Sequence, residues 1–299
     1  MKEILVIGSS NTDMVIKTEK LPSPGETILG GTFLLNPGGK GANQAVAATR
    51  LGGKVTFVGK RGNDLFGNQT VGLLMREGID TEFFIKDPEL PSGVALITVD
   101  SNGENMIVVA PGANANLQPE DLPEEIFDSS RYAILLIQLE IPITTVEYAI
   151  KKAKEKGIKA ILNPAPAQPL SDEILKNVWA LTPNEIEAET LTGVSISDTK
   201  TCSRAAAVLS NKGVRNVIVT LGEGGAFVSS DSYSGLIPGI KVDAVDTTAA
   251  GDVFNGALAV ALAEGKELPE AVKFANKAAS ISVTRLGAQA SAPFRHELD

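Results

Sequence analysis

The sequence predicts an α/β protein, with a mainly parallel sheet covered by helices on both faces and a small antiparallel sheet added to it. Two observations carry the main sheet. Apolar, β-rich runs alternate with helix-like segments through most of the 299 residues. Those runs are apolar at almost every position, as strands buried on both faces must be. A third observation carries the smaller sheet: two stretches, about 13–38 and 93–110, break the alternation without supplying a helix.

In chain order, EILVIG (3–8) reads as a buried strand, and residues 13–38 then alternate polar and apolar side chains. A helix is expected over 41–51, a strand at KVTFVG (54–59) and a helix over 64–76. GVALITVD and NMIVVA are two strands joined by an Asn102-Gly103 turn, a strong hairpin signal. Strands follow at YAILLIQLE (132–140), IKAILN (158–163), VWALTP (178–183) and NVIVTLG (216–222), with helices over 143–156, 184–192 and 199–210. Beyond 246 the chain reads as helical, over 251–264 and 269–285. No repeat of 20–50 residues and no low-complexity tract interrupts it, so residues 1–299 form one unit with a β appendage. That appendage is either a lid able to exclude water from a site or an edge insertion.

Composition removes several functions. Acids outnumber bases 36 to 27, a formal charge of −9, which argues against a nucleic-acid binder. One cysteine, Cys202, and one histidine, His296, permit no internal disulfide, no Cys/His metal cluster and no Ser-His-Asp triad. Cys202 falls in a helical stretch where a small buried residue is expected. Acid–base chemistry is left to carboxylates and lysines. The apolar runs at the N-terminus and around 257–263 are too short for a signal peptide or a membrane span, so the chain is expected in the cytoplasm.

The stretch DTTAAGDVFNGALA (246–259) strips side-chain bulk from a helix start. Ala249, Ala250 and Gly251 leave amides bare at the positive end of the helix dipole, a natural anion site. A carboxylate at Asp252 would repel a bound phosphate unless it takes a proton from a hydroxyl attacking the phosphorus. The alternative is an acid that merely complements the dipole. NPGGKGANQAVAATRLGG (36–53) lacks the P-loop pattern, because Leu34 and Gly41 stand where that motif needs Gly and Ser/Thr. What remains is a flexible turn entering a helix, with Asn43 able to pair sugar hydroxyls. Asn11 and Asp13 point to one side just beyond the first strand, and Glu140 ends another strand, where α/β sheets gather ligands. TLGEGGAF (220–227) is an open strand–turn–strand, without a dinucleotide fingerprint. Asn184 and Glu187 share a helix face and suit either ordering water around magnesium or capping.

These residues resemble the ribokinase family of carbohydrate kinases. DTTAAGDVFNGALA is similar to its C-terminal signature and GGKGANQAVA to its N-terminal one. The resemblance runs end to end through SSNTD, QLEIP, NPAPA, TPNEIEAE, TLGEGGA and ISVTRLGAQAS. It implies ATP-dependent phosphorylation of D-ribose at O5. Asp252 would be the base, and Ala249, Ala250 and Gly251 the anion hole. Asn11, Asp13, Gly39, Lys40, Asn43 and Glu140 would bind ribose. Asn184, Thr220, Leu221, Gly222, Glu223, Gly224, Gly225, Gly251 and Asn276 would lie along ATP, with Glu187 placing Mg²⁺ through water. Asp246, Thr248, Ser282, Arg285, Gly287 and Ser291 would hold K⁺, several through backbone carbonyls. The β appendage would be the lid and the contact of a homodimer. Alternatives are a fructokinase, 2-keto-3-deoxygluconate kinase or adenosine kinase of the same family, or a binding protein without turnover.

Overall fold

The computed structural model describes residues 2–298. β1 (Glu3–Ile7) lies in the main sheet, and the chain leaves it at once for β2 (Asn11–Lys17) and β3 (Thr32–Gly38) of the second sheet. α1 (Lys40–Arg50), β4 (Val55–Arg61), α2 (Leu65–Glu77) and β5 (Phe84–Lys86) extend one side of the main sheet. β6 (Gly93–Val99) and β7 (Asn105–Ala110) complete the second sheet. The other side is built by β8 (Tyr132–Ile137), α3 (Ile143–Lys156), β9 (Lys159–Leu162), α4 (Asp172–Leu175) and β10 (Ala180–Leu181). It continues through α5 (Glu185–Thr192), α6 (Thr199–Asn211), β11 (Asn216–Thr220), β12 (Ala226–Ser229) and β13 (Ser234–Ile237). α7 (Ala250–Ala263) and α8 (Leu268–Ser282) follow.

The nine-stranded sheet runs β13-β12-β11-β10-β9-β8-β1-β4-β5 and is parallel from β5 to β11, with β12 and β13 antiparallel at one edge. β1 shows why its strands carry no alternation. Ile4 and Val6 enter the core under α1, α7 and α8, while Leu5 and Ile7 enter the core under α3 and α6. Both faces are covered, so both sets of side chains are apolar. Cys202 is fully buried in the second of these cores.

The second sheet, ordered β3-β2-β6-β7, differs from expectation in one respect. β3 with β2 and β6 with β7 are antiparallel, but β2 and β6 pair in parallel. The chain crosses the main sheet between them, and that long crossover allows both strands to run the same way. β2 also begins at Asn11 rather than Asp13, so both residues open a strand of this sheet. The strand expected at 178–183 pairs regularly only at Ala180 and Leu181, because Pro183 has no N–H and Asn184 already caps α5. The strand expected to 140 ends at Ile137, leaving Gln138 to Glu140 beyond the sheet's edge. α4 and β13 lie in stretches too short or too exposed to carry a periodic signal.

α1 and α7 touch through small residues, and Gly256 sets their separation. A Cβ there would lie 2.8 Å from the Gln44 carbonyl oxygen and 2.9 Å from the Ala48 nitrogen, contacts that only a shift of backbone could relieve. Gly256→Ala is therefore expected to destabilise the chain by about 1–3 kcal/mol, the usual range for overpacking. A melting temperature equal to the parent's would show that α1 and α7 tolerate a wider spacing.

Candidate active site

The N-terminal ends of α1 and α7 meet beyond the carboxyl edge of the parallel strands. Gly39 makes the turn into α1 at φ 87°, with its α-carbon so close to Ser10 that a Cβ would fall 2.6 Å from the Ser10 Cα. Adjacent strands β1 and β8 then bring Ser9 and Glu140 to that helix start. Glu140 Oε2 accepts from Ser9 Oγ at 2.6 Å and from the Lys40 N–H at 3.0 Å. The carboxylate thus satisfies a first-turn donor of α1.

One turn into the helix, Asn43 and Gln44 reach Asp252, the third residue of α7. Asn43 Nδ2 donates to Asp252 Oδ2 at 3.0 Å and Gln44 Nε2 to Oδ1 at 2.9 Å. Asp252 is buried, and that burial raises its pKa against the opposing pull of Lys40 and the two amides. Lys40 itself would be depressed by burial, but Asp252, Glu140 and Glu187 outweigh that and hold it above its ordinary value. Asn11 lies alongside in β2, its Oδ1 accepting from Asn114 Nδ2 at 2.9 Å. Asn114 also bonds both main-chain groups of Ser10. Asn114 and Gln44 escaped the sequence reading, since a buried amide between turns has no periodic or compositional mark. A hollow of about 580 Å³ opens here, lined by Asn11, Val109, Pro111, Asn114 and Glu140 among others.

On the other side of Asp252, a cleft of about 400 Å³ is lined by Asn184, Thr220, Gly222, Glu223, Gly225, Ala250, Gly251 and Asn276. Leu221 and Gly224 belong to the same turn but do not line it. Its apolar wall is Ile240 and Val242 from the irregular segment before α7, with Phe254 of α7 and Ala279 and Val283 at the end of α8; the first two carry no periodic signal, and the helical ones read as ordinary core positions. At the cleft floor Ala249 caps α7 at φ 59°, ψ 12°, the one non-glycine residue with positive φ among the described residues. The Ala250 N–H closes a turn on the Thr247 carbonyl at 3.2 Å, and among the described residues Gly251 and Asp252 N–H have no protein partner. Asn184 and Glu187 form a reciprocal capping box at the start of α5.

Asp246, just upstream, is gathered to the loop after α8. Its Oδ1 accepts from Thr248 N–H at 2.9 Å and its Oδ2 from Gly287 N–H at 2.8 Å. Burial opposes these bonds, but they prevail and hold its carboxyl below the usual value. Ser282 and Ser291 are buried, each hydroxyl donating to a carbonyl three residues back, and the Arg285 guanidinium pairs with Glu297. No group of three or more His, Cys, Asp or Glu side chains could hold a metal among the described residues. Asp246 is the one carboxylate at this loop, and each of its oxygens accepts a main-chain N–H.

Burial, with Glu140 and Asp252 beside it, pushes Asp13 up to about 6 from the usual 3.8. The folded chain therefore binds a proton more readily than the unfolded one between those values. The destabilisation from Asp13 is full above the higher value, shrinks as pH falls from the higher value to the lower, and is gone below it. Asp13→Asn is expected to stabilise the ligand-free chain by up to about 3 kcal/mol at about pH 8, at 1.36 kcal/mol per unit, and negligibly near pH 4. Denaturant titrations at both pH values check this; an equal gain at the two would assign the effect to something other than charge.

The pfkB family carbohydrate kinase pattern matches residues 1–295. The chain is 46% identical to a ribokinase from Haemophilus influenzae over 296 residues, covering 99% of this chain and 97% of that one. It superposes on the crystal structure of Thermotoga maritima ribokinase with a TM-score of 0.92 at 43% identity, covering 100% and 98% of the two chains. For Arabidopsis thaliana ribokinase complexed with ribose and ATP, the TM-score is 0.93 at 34% identity, covering 99% and 97%. With its folded elements and its two signatures accounted for end to end, the chain belongs to the pfkB family of carbohydrate kinases.

Proposed function

We propose that this enzyme transfers the γ-phosphoryl group of ATP to O5 of D-ribose, giving D-ribose 5-phosphate and ADP. The observation that carries the reading is the buried Asp252 carboxylate, gripped by Asn43 and Gln44 and set immediately beside the unpartnered amide of Gly251. Base and anion site are neighbours, as in-line attack requires.

Ribose is held by Asp13, Gly39, Lys40 and Asn43 together with Asn11 and Glu140, the two of the six that line the hollow, and ATP lies in the cleft by Asn184, Thr220, Gly225 and Asn276. The sugar hydroxyl gives its proton to Asp252 as O5 bonds to the γ-phosphorus, and the bond from phosphorus to the bridging oxygen breaks to release ADP. The amides at the start of α7, Gly251 with Ala249 and with Ala250 once it leaves the Thr247 carbonyl, receive the charge that develops on the transferring group. Glu187 would place Mg²⁺ through water, where it would offset phosphate charge, and Asp246, Thr248, Ser282, Arg285, Gly287 and Ser291 would hold K⁺, which would add positive charge near the start of α7.

The second sheet closes over the sugar as a lid. It presents Phe33, Leu35, Leu96, Met106 and Val108 exposed on one side, an apolar face suited to pairing with a second copy in a homodimer. No helix among the described residues is long and apolar enough to cross a membrane, in keeping with an enzyme of the cytoplasm.

A panel of sugars and nucleosides with ATP tests the substrate: kcat/KM should be highest for ribose, and a higher value for fructose or adenosine would overturn the assignment. Asp252→Asn is expected to lower kcat by about 10²–10⁴ with little change in ribose affinity; a rate within about tenfold of the parent would remove Asp252 from proton transfer. Turnover should be faster in K⁺ than in Na⁺ at equal ionic strength. Indifference to the cation would dismiss the loop at Asp246 as an ion site.

A further inference from the structure

Gln44 is fully buried and carries no charge, yet it stands at the centre of a closed ring of hydrogen bonds around Asp252. Its Nε2 donates to Asp252 Oδ1 at 2.9 Å and to Asn163 Oδ1 at 3.1 Å, and its Oε1 accepts from Gln138 Nε2 at 2.6 Å. From Asn163 the ring continues through Nδ2 to the Thr182 carbonyl at 3.3 Å. Thr182 Oγ1 donates to Asn255 Oδ1 at 2.7 Å, and Asn255 Nδ2 returns to the Gly251 carbonyl at 2.8 Å. The ring thus leaves α7 at Asp252, passes through α1 and the ends of β9 and β10, and rejoins α7 one residue away.

The ring fixes which way each amide faces. A main-chain carbonyl only accepts, so Asn163 must turn its NH₂ to Thr182 and its oxygen to Gln44. Gln44 must then answer with its own NH₂, whose second hydrogen meets Asp252. Gln138 accommodates the same choice from the far side by donating to the Gln44 oxygen, while its own oxygen is buried without a partner. Flipping Gln44 would set oxygen against oxygen at Asn163 and at Asp252, and nitrogen against nitrogen at Gln138. With Asn43 on Oδ2 and Gln44 on Oδ1, the plane of the carboxylate is held from both ends.

We propose that Gln44, oriented by Asn163 and Gln138, is the positioning residue that keeps Asp252 ionised and aimed at the sugar hydroxyl. The proposal rests on Asp252 being the base. Of the charged groups around Asp252, Lys40 on α1 is the one cation, and Glu140 beyond β8, Asp13 on β2 and Glu187 on α5 are the anions. Three negative neighbours and burial all favour the protonated acid, which cannot act as a base. A fixed, neutral donor opposes them at every pH without adding a group that titrates.

Gln44→Met keeps the length of the side chain and removes the donor. The acid limb of the kcat/KM profile for ribose is expected to move up by about one pH unit or more, as loss of a hydrogen bond to a charged group is worth about tenfold to a hundredfold. kcat at neutral pH should fall by a similar factor and largely recover near pH 9, while ATP affinity changes by less than about threefold. Damage to the fold alone would depress the rate evenly across pH. Gln44→Glu keeps the volume and adds a negative charge, so its limb should move the same way and at least as far. If either variant is folded, binds ATP as the parent does and keeps the parent's acid limb, the role assigned to Gln44 is wrong. The two levels separate cleanly: near-parental turnover in Asp252→Asn removes the base itself, whereas an inactive Asp252→Asn beside an unmoved Gln44→Met limb removes only the positioning role.

Discussion

The close contact of α1 with α7 is the constraint from which the site follows. Alanines along α1 and Gly256 on α7 let the two backbones approach until Asn43 and Gln44 reach a carboxylate on the facing helix. At a wider spacing Asp252 would be buried without partners, and an unpaired buried charge costs several kcal/mol. The same approach places both helix N-termini beyond the carboxyl edge of the sheet, where open α/β folds leave room for ligands. Packing of small residues and placement of the reactive acid are one requirement.

The electrostatics look unpromising for an enzyme that handles nucleotides. Glu140, Glu187 and Asp252 converge on a single lysine, Lys40, and Asp13 adds a fourth acid beside Glu140 and Asp252, within a chain of net charge −9. The positive field comes instead from the backbone. Ala249 adopts the left-handed conformation, which costs an L-residue roughly 1–2 kcal/mol, and the amides that follow it at Gly251 and Asp252 are without protein partners. Strain of that kind persists where the surrounding structure fixes it, and it collects at ligand sites. Partial charges on fixed amides need no counter-ion, so carboxylates can stand close to the start of α7 without cancelling its field.

Much of the fold was open to reading because burial on both sides of a parallel sheet writes itself into composition. β1, β8, β9 and β11 are apolar at every interior position, as burial on both faces of a parallel sheet requires. Where the reading slipped, local chemistry had the last word: Pro183 and the Asn184 cap shortened β10, and a long crossover set β2 and β6 parallel. The glycine-rich turns and the bare start of α7 were equally visible, because ligand approach and anion binding demand small residues at fixed spacing.

The sequence by itself determined the α/β class, the two signature stretches and the acid at Asp252, since each depends on residues close together in the chain. Only the tertiary structure decided that Gln44 and Asn43 hold that acid from more than 200 positions away, that Asn114 braces Asn11, and that an irregular segment at 240–244 walls the cleft. Hydrogen bonds between distant elements depend on helix spacing and amide orientation, quantities that no local pattern of residues records.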